Sequence, residues 1–349
     1  MCDENHNLLL TIGITSYNQP EELRRSIMSV KSAFVDDVEI VVSDDNSPQK
    51  NRIEKVVNEC ASSSTIKIRF CPNNTNLGYD MNIASILQKA KGEYVFFLSD
   101  DDIIAEGFID YLITFLKEKR HLAGGVLYAP FVYIDSDRIE RKLLKADSTI
   151  RLGEKNCKKH IYASILFSGL IFCKSCVADI DCSRFKNLIY IQVYMFLHAL
   201  NNYGGYYFEK PSIMFVNDGV NGFGLSESSG SDFIEMDNHN KLLSDRSTAI
   251  SNLEYHKTLF KVIRMFDEDE GTHVMDSFEH QYSLHSITGL TNARLEGRQS
   301  FQEYCKELYR LDVNLYPVVR CYIILLSLFG VRMTTFLLSG FRRLVKKEH

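Results

Sequence analysis

The first 130 residues alternate short, almost continuously apolar runs with amphipathic segments. Four runs rich in Val, Ile, Leu and Phe predict buried strands at Leu8–Thr15, Val38–Ser43, Ile66–Cys71 and Glu93–Ser99. A strand that is apolar on both faces is typical of a parallel sheet covered by helices on both sides. The sequence therefore predicts an α/β fold with a doubly wound, mostly parallel sheet in the N-terminal half.

The amphipathic segments between these runs predict helices. Two of them begin with a proline in the first turn, at Pro20 and at Ser47-Pro48, and two more extend over Met81–Ala90 and Phe108–Glu118. Because strands and helices alternate along the chain, the connections are expected to join parallel strands.

The rest of the chain divides at a polar loop. Further strands with their connections are predicted within Leu122–Ile134 and Ile161–Phe172, a helix over Ile189–Leu200, and a strand over Tyr206–Val216 that Pro211 interrupts. The segment Asn217–Ser231 is rich in Gly, Ser and Asn, which is typical of a mobile or functional loop. We therefore predict an α/β domain over residues 1–216 and a mostly helical C-terminal region over residues 217–349.

Composition excludes some partners and compartments. The formal net charge of -5 provides no basic field, so nucleic acid is not an expected partner. Nine irregularly spaced cysteines argue against a disulfide framework and for a reducing compartment. The polar N-terminus has no signal-peptide pattern, so a cytoplasmic location is expected.

Acidic residues follow two of the predicted strands. Asp44 and Asp45 come after VEIVVS, and Asp100, Asp101 and Asp102 come after EYVFFLS. Ligands of open α/β sheets bind outside the carboxyl ends of the strands, and adjacent carboxylates favour a bound cation. An alternative is a solvated acidic turn in which Asp102 caps the following helix. Two acidic strand ends in one alternating pattern favour the ligand site.

Three segments in order resemble the family-2 glycosyltransferases of the GT-A fold. They are TIGITSYNQPEELRRSIMSV, EIVVSDDNSPQ and NTNLGYDMNIASILQKAKGEYVFFLSDDDI, and the resemblance covers residues 8–102. The segments NLGYDMNI and LSDDD look like the branch that adds sugars to bacterial surface polysaccharides such as O-antigen or capsule. The resemblance implies a GT-A fold, which has a Rossmann-like, mostly parallel sheet flanked by helices.

The resemblance implies nucleoside-binding roles at the first two strand ends. Thr15, Tyr17 and Asn18 match positions that contact the nucleoside, with Tyr17 packing on the base. Asp45 matches the carboxylate that accepts a hydrogen bond from the base, and Asp44 supports it. An ordinary strand-end aromatic is the alternative role for Tyr17.

The resemblance also implies a role for the next loop and for the acidic triplet. Gly78 matches the position where the loop approaches the nucleotide, and Asn82 on the next helix is its neighbour. Asp100, Asp101 and Asp102 match the region that binds the ribose and a divalent metal, Mg²⁺ or Mn²⁺, with Asp101 and Asp102 as catalytic residues. A plain turn glycine and a surface helix residue are the alternatives for Gly78 and Asn82.

The chain departs from the family pattern at the general base. The family usually places a carboxylate near the start of the helix that here reads NLIYIQVYMFLHAL, and Gln192 cannot accept a proton at neutral pH. Other candidates for the general base lie elsewhere in the chain, and the choice among them stays open: Asp179, Asp181, Asp218, His160 and His198. An inverting reaction is therefore implied by the resemblance alone.

The C-terminal segment Tyr316–Leu338 is strongly apolar but is interrupted. Arg320 and Arg332 lie within it, and Gly330 divides it into pieces too short to span a bilayer. With the basic run FRRLVKK, this pattern predicts two helices lying on the inner face of the cell membrane. The alternative is an ordinary helical pair packed on the rest of the protein.

Together these features predict a metal-dependent glycosyltransferase. Its donor would be a nucleotide-diphosphate sugar, and its acceptor a glycan carried on a polyisoprenyl lipid at the membrane surface. The competing hypothesis is a non-catalytic GT-A-like protein that binds nucleotide or acts as a scaffold, which the missing base favours. The intact acidic triplet, Asp45 and Tyr17 favour catalysis. A sugar nucleotidyltransferase is disfavoured because TSYNQPEEL is not a Gly- and Arg-rich phosphate loop.

Overall fold

The computed structural model of the chain describes residues 8–134, 139–216, 248–311 and 313–345, with residues 248–255 and 338–345 described by their backbone alone. The chain forms two compact units. The first comprises Met1–Gly230 with Glu268–Thr272, and the second comprises Ser231–Asp267 with His273–His349. The predicted loop Asn217–Ser231 lies outside the described residues, so the domain boundary beside it stays a prediction.

The first unit contains twelve short strands and six helices among the described residues. The strands are β1 (Leu10–Ser16), β2 (Val38–Asp44), β3 (Lys67–Phe70), β4 (Tyr94–Ser99), β5 (Ile103–Ile104), β6 (Val126–Tyr128), β7 (Phe131–Tyr133), β8 (Ile139–Glu140), β9 (Ser148–Ile150), β10 (Ile171–Cys173), β11 (Gly205–Tyr207) and β12 (Ile213–Phe215). The helices are α1 (Pro20–Ser29), α2 (Lys50–Ser63), α3 (Tyr79–Lys89), α4 (Phe108–Lys119), α5 (Glu154–His160) and α6 (Ile191–Tyr203).

The central sheet has the strand order β3-β2-β1-β4-β10-β6-β11-β9. Its first four strands are parallel, as the apolar runs predicted. Strand β10 is antiparallel to both of its neighbours, and β9 is antiparallel to β11, so the complete sheet is mixed. The parallel half therefore follows from the sequence pattern, whereas the reversal at β10 does not.

Buried side chains cover the central strands, and α3 packs directly on β1. A Cβ atom added to Gly13 would lie 2.3 Å from Cγ2 of Ile86, so only glycine permits this approach. Every residue of β2 is buried, and Ile40 and Phe96 have no exposed surface. Burying a side chain of this size stabilises the fold by roughly 1.5–3 kcal/mol.

Two segments predicted to contain strands with their connections do contain them. In Ile161–Phe172 the connection begins with a 3-10 turn at Ile161–Ser164, and the strand is β10 at its end. The segment Leu122–Ile134 divides into β6 and β7, which belong to different sheets. Tertiary pairing decides these short segments, because apolar runs of this length do not distinguish a strand from other buried backbone.

A second sheet, of order β5-β12-β7-β8, lies beyond the acidic triplet. Strand β12 pairs in parallel with β7 and antiparallel with β5, which follows directly after Asp102. The segment Tyr206–Val216, predicted as a strand interrupted at Pro211, thus contributes β11 to the central sheet and β12 to the second one, on either side of that proline. This arrangement places the end of β12 beside the acidic triplet.

Asp80, in the first turn of α3, fixes the start of α6. Its carboxylate accepts hydrogen bonds from the backbone N–H groups of Leu188, Ile189 and Ile191 at 2.9, 2.8 and 3.1 Å. Ile189 has a positive φ of 57°, which is unfavourable for a β-branched residue. The buried carboxylate therefore compensates for a strained turn by satisfying its backbone donors.

The second unit is helical in its described part. It contains α7 (Thr248–Glu270, whose last residues belong to the first unit), α8 (Val274–Glu296), α9 (Arg298–Arg310) and α10 (Pro317–Val345). Gly330 has a φ of 68°, so α10 is two helices divided where the sequence predicted. Arg294 Nε donates to the carbonyl oxygen of Leu326 at 3.0 Å, and the Tyr322 hydroxyl bonds that of Thr291 at 2.7 Å. These bonds hold the first half of α10 against α8.

We predict that Asp80→Asn destabilises the protein most strongly at acidic pH. Its amide NH₂ would face backbone donors, at a cost of about 1–3 kcal/mol. Burial raises the pKa of Asp80 to about 6, above the unfolded value near 3.9. A raised folded-state pKa means that the stability from this group is fully present below pH ~4 and is lost as pH rises through about 6. The difference between wild type and variant should therefore shrink from pH 5 to pH 8.

Chemical unfolding at several pH values measures this difference. Glu21→Gln, on an exposed side chain, is the matched control and should show no such trend. A pH-independent difference for Asp80→Asn would contradict the prediction.

Candidate active site at the carboxyl edge of the sheet

Parallel pairing brings the ends of β1, β2 and β4 to one level. Ser16 pairs with Asp44, and Thr15 pairs with Ser99. The chain therefore leaves these three strands along one edge, which we call the carboxyl edge and define as residues 15–18, 44–47 and 99–102. All of the predicted site residues except Gly78 and Asn82 lie in these three segments.

Asp100 ties the end of β4 to the end of β1. Its Oδ2 accepts a hydrogen bond from the backbone N–H of Tyr17 at 3.0 Å, and its Oδ1 accepts one from Gln19 Nε2 at 3.4 Å. Burial, and then the neighbouring charge of Asp101, raise the pKa of Asp100 well above its usual range. The ionised carboxylate is therefore disfavoured here until a cation lies nearby.

The Asp102 carboxylate is satisfied in part, because the Ser168 side chain and the Val216 backbone bond to it while one of its buried oxygens has no partner. The residue is 1% exposed, and its Oδ1 has no hydrogen-bond partner. Burial and the charge of Asp101 raise the pKa of Asp102 to about 7. Because an unsatisfied buried polar atom costs free energy, its presence indicates a ligand that completes it. Asp101 between them is half-buried, and its backbone oxygen accepts a bond from Arg25 Nη2 at 3.0 Å.

The acidic triplet fits a metal only in part. Among the described residues, no three or more His, Cys, Asp or Glu side chains surround one metal position. The predicted grouping of all three carboxylates is thus not present, because Asp100 is turned toward Tyr17 and Gln19. Mg²⁺ is commonly held by one or two carboxylates together with substrate phosphates. The unpartnered oxygen of Asp102 fits that mode, with a metal that is completed by the phosphates of a ligand.

Asp45 holds the loop that precedes α3. Its Oδ1 accepts hydrogen bonds from the backbone N–H of Leu77 and from Asn73 Nδ2, at 2.8 and 2.9 Å, and its Oδ2 accepts one from Gly78 N–H at 2.8 Å. Gly78 has a φ of 80°, which glycine adopts without strain. Oδ2 has one donor, so it retains capacity for a second one.

Asn82 is buried rather than a surface helix residue. Its Oδ1 accepts hydrogen bonds from the Ser43 hydroxyl and from Asn73 Nδ2, and its Nδ2 donates to the backbone oxygen of Ser43. Lys89, half-buried on the same helix, donates to Ser43 and to Asn73. This network supports the loop that precedes α3. Asn82 therefore acts on the site by holding that loop in place.

The remaining predicted residues line the surface of the carboxyl edge. Thr15 and Tyr17 are half-buried, and Asn18 is exposed with a φ of 61°. The backbone N–H of Asn18 donates to the Ser47 hydroxyl at 2.8 Å, and Ser47 in turn donates to the buried carboxylate of Asp44. Asp44 therefore links the loops after β1 and β2 through Ser47, and its support of Asp45 stays a prediction.

The sequence model of glycosyl transferase family 2 matches residues 11–173, a span that contains all of these site residues. The chain carries a family 2 glycosyltransferase domain. The family named from three short segments is thus confirmed, and the match extends well beyond the resemblance in residues 8–102.

Curated relatives match the family 2 domain in part. A glycosyltransferase of Haemophilus influenzae described as uncharacterized is 28% identical over 142 residues, which is 41% of this chain and 54% of that protein. The GalNAc(5)-diNAcBac-PP-undecaprenol beta-1,3-glucosyltransferase of Campylobacter jejuni is 32% identical over 119 residues, 34% of this chain and 38% of that protein. An abequosyltransferase of Salmonella typhimurium is 24% identical over 164 residues, 45% and 47% of the two chains. The chain spans about half or less of these relatives.

Two solved structures share the fold across most of this chain. TarS 1–349 of S. aureus, in complex with UDP-GlcNAc, has a TM-score of 0.51 at 14% identity and covers 96% of this chain and 92% of its own. The mannosyltransferase PcManGT of Pyrobaculum calidifontis, in complex with GDP-Man and Mn²⁺, has a TM-score of 0.51 at 14% identity and covers 96% and 79%. The predicted GT-A fold, with its C-terminal helical region, is confirmed.

Gln192 occupies the helix start where family 2 domains usually carry a base. It is 1% exposed, its Nε2 donates to the backbone oxygen of Ile165 at 3.2 Å, and its Oε1 has no partner. The other base candidates within the described residues make no hydrogen bond or ion pair with the carboxyl edge. Asp179 lies 3.5 Å from His198, and Asp181 caps a 3-10 turn. His160 is buried against a tyrosine hydroxyl, and Asp218 lies outside the described residues.

Sequence reasoning missed two charged residues of the family 2 domain. Asp80 holds the turn before α6, although in the sequence it is one more acidic residue in a first helical turn, a common position. Arg141 lies near Asp102, and its charge opposes the rise in the pKa of that carboxyl. No motif marks Arg141, and its contacts join residues about 25 positions apart. Neither role has a local sequence signal.

We predict that Asp45→Ala loosens the loop before α3 even without ligand. The substitution removes the acceptor of the Leu77 and Gly78 amides, so their hydrogen exchange should accelerate. Leaving these buried donors unsatisfied should lower the free energy of unfolding by about 1–3 kcal/mol.

Hydrogen exchange and denaturant unfolding of the free protein measure both effects. Asp36→Ala, at an exposed acidic residue, is the control and should change neither. If the two amides exchange at the wild-type rate in Asp45→Ala, the carboxylate does not hold the loop.

Proposed function

We propose that the protein transfers a sugar from a nucleotide-diphosphate donor to a glycan in bacterial surface polysaccharide synthesis. The observation that carries the proposal is the carboxyl edge, where the unpartnered oxygen of Asp102 lies on the same edge as Tyr17 and Asp45. A diphosphate ligand with a bound metal would complete Asp102, and a nucleoside would contact the other two. The family 2 domain supports the reaction class.

The donor would bind across the ends of β1, β2 and β4. Tyr17 packs on the base, with Thr15 and Asn18 beside it, and Oδ2 of Asp45 accepts a hydrogen bond from the base. Gly78 lets the loop backbone approach the nucleotide. The structures of similar fold hold UDP-GlcNAc and GDP-Man, which supports a nucleotide-sugar donor without choosing its base.

The chemistry requires stabilisation of the leaving diphosphate. Negative charge builds on its outer phosphate as the bond to the sugar breaks. A divalent cation, when bound, stabilises that charge as a Lewis acid. Asp101 and Asp102 would hold such a cation, and Asp100 would orient the end of β1 through Tyr17. Inversion at the transferred carbon is part of the proposal on the family resemblance alone.

The acceptor would be a glycan on a polyisoprenyl diphosphate. The Campylobacter jejuni relative is named for an undecaprenol-linked substrate, which supports this class. A lipid-linked acceptor requires the protein to work at the inner face of the membrane, so the protein would be cytoplasmic and peripheral. The second unit carries a surface of the required chemistry.

The exposed face of α10 supports attachment to the membrane surface. Among the described residues one segment, Pro317–Leu337, is long and apolar enough to cross a bilayer, and 22% of it is buried in the protein. Ile324, Leu328 and Phe336 are 57%, 70% and 71% exposed. The break at Gly330 leaves two pieces shorter than the roughly 20 residues that a span needs. Residues 316–349 contain six Lys or Arg and one acidic residue, which suits anionic headgroups.

We predict that Asp102→Ala reduces sugar transfer by on the order of a thousandfold with little change in folding. The substitution removes an oxygen that would hold the metal, and the lost charge stabilisation is several kcal/mol in the transition state. Asp101→Ala should act in the same direction. Release of nucleoside diphosphate in the presence of a polyisoprenyl-linked acceptor, under excess Mn²⁺, measures the rate.

Asp36→Ala is the matched control, because Asp36 is exposed and precedes β2, at the opposite end of that strand from the carboxyl edge. It should retain transfer. Wild-type rates in both Asp101→Ala and Asp102→Ala would exclude this site. If the wild type binds a nucleoside diphosphate but never transfers sugar, the non-catalytic nucleotide-binding function is the correct one.

We predict that Leu328→Glu combined with Phe336→Glu abolishes binding to anionic vesicles. Carboxylates on the exposed apolar face would be costly to bury in the lipid interface. Tyr309→Glu, on an aromatic of α9 that is 57% exposed, is the control and should bind as wild type does. Flotation with phosphatidylglycerol vesicles at low and high salt measures this. The membrane assignment is wrong if the double variant floats with the vesicles as the wild type does.

A further inference from the structure

Arg141 is a buried arginine of the first unit, between β8 and β9. It is 8% exposed. Its Nη1 donates to the backbone oxygen of Ser168 at 3.2 Å, and its Nη2 donates to that of Leu166 at 2.6 Å. The guanidinium lies over the ring of Phe131, 5.3 Å from the ring centre. Neutral groups therefore make all of its close contacts.

The charge of Arg141 has no ion-pair partner in the described part of the chain. Arg69, a half-buried arginine of this unit, lies 2.8 Å from the buried carboxylate of Glu39. Burial lowers the pKa of Arg141 to about 10, which leaves it cationic at neutral pH. A buried charge without a partner is strongly destabilising, so a protein that retains one gains something in return.

The backbone of Arg141 is strained as well. Its φ is 57°, in the left-handed region that residues other than glycine seldom occupy. Strain of this kind costs on the order of 1–3 kcal/mol and concentrates at ligand sites. Two independent costs, one of charge and one of conformation, thus coincide at this residue.

A single residue connects Arg141 to the acidic triplet. The backbone oxygen of Ser168 binds the guanidinium, and its hydroxyl accepts a hydrogen bond from the backbone N–H of Ser99 at 3.0 Å. Ser99 is the last residue of β4, directly before Asp100. Arg141 is therefore held at the carboxyl edge, where its charge acts on Asp102.

The N–H groups of Arg141 that its described contacts leave unused match one class of ligand. A guanidinium has five N–H donors in a planar fork, and the described contacts use two of them. Such a fork matches the oxygens of a phosphoryl group. Three adjacent aspartates would repel an anion, so an anionic ligand at this edge needs positive charge from the protein or from a metal.

We propose that Arg141 binds a phosphoryl group at the carboxyl edge. The inference rests on the proposed function, which supplies two sources for that group: the diphosphate of the nucleotide donor and the diphosphate of a lipid-linked acceptor. In both cases the guanidinium stabilises negative charge next to the acidic triplet. The ligand also gives the buried guanidinium a counter-charge within hydrogen-bonding distance, which Asp102 does not provide although its charge acts on Arg141.

Calorimetric titration of the full chain tests the proposal and distinguishes the two sources. The probes are UDP and GDP, their nucleosides uridine and guanosine, and geranyl diphosphate, all with excess Mg²⁺. In Arg141→Met, affinity for the nucleoside diphosphate should fall roughly tenfold to a hundredfold, the value of a charge-assisted hydrogen bond, while nucleoside affinity is unchanged. Loss of geranyl diphosphate binding alone would assign the acceptor phosphate instead.

Two further variants make the result decisive. Arg141→Lys keeps the charge without the fork and should lose affinity to a smaller degree, which covers the case that Arg141→Met does not fold. Arg120→Met is the matched control, because Arg120 pairs with Glu93 at the opposite end of β4. It should bind every probe as wild type does.

The outcomes separate this inference from the function on which it rests. If Arg141→Met and Arg141→Lys bind nucleoside diphosphate and geranyl diphosphate as wild type does, Arg141 is structural and the inference is overturned, while the proposed function stands. If wild type binds neither UDP nor GDP, the proposed function fails, and the geranyl diphosphate titration alone decides the role of Arg141. Binding of no probe overturns both.

Discussion

Hydrogen bonds from backbone N–H groups to buried carboxylates hold the loops at the carboxyl edge of the sheet. Asp100 accepts one from Tyr17, and Asp45 accepts two from the loop before α3. Asp80 accepts three from the turn before α6. Each bond provides an acceptor for a backbone N–H group that has none within a strand or a helix, and each joins segments far apart in the chain. Without these carboxylates the strand ends would still be parallel, but the loops above them would lack fixed positions.

Two charged groups differ from these carboxylates because they are not fully paired. Asp102 has a buried oxygen without a partner, and Arg141 has a buried charge without an ion pair in the described part of the chain. Both border the segment around Ser168, and both would be satisfied by a single ligand that carries a metal and a phosphoryl group. The parts of the site that fix its geometry are thus complete in the free protein, and the parts that would bind the ligand are incomplete. This division supports a binding role for the site rather than a purely structural one.

The parallel half of the sheet was predictable because its strands are buried on both faces and are long enough to appear in the sequence as continuous apolar runs. The acidic triplet and Asp45 were predictable for the same reason, since they follow directly after those strands. Strands of two or three residues, such as β10 and β12, leave no periodic signal, and their pairing depends on tertiary contacts. Asp80 and Arg141 could not be assigned from the sequence, because their partners lie 25 to 111 residues away. The break at Gly330 was predictable, because glycine there interrupts an otherwise apolar helix.

Thermal unfolding with a panel of nucleoside diphosphates, each with and without Mn²⁺, tests the central claim most directly. A ligand that binds the folded state raises the melting temperature by mass action. We expect that at least one nucleoside diphosphate raises the melting temperature, that Mn²⁺ increases the effect, and that Asp102→Ala removes the part that depends on Mn²⁺. If no nucleoside diphosphate raises the melting temperature of the wild-type protein at millimolar concentration, the carboxyl edge does not bind a nucleotide donor.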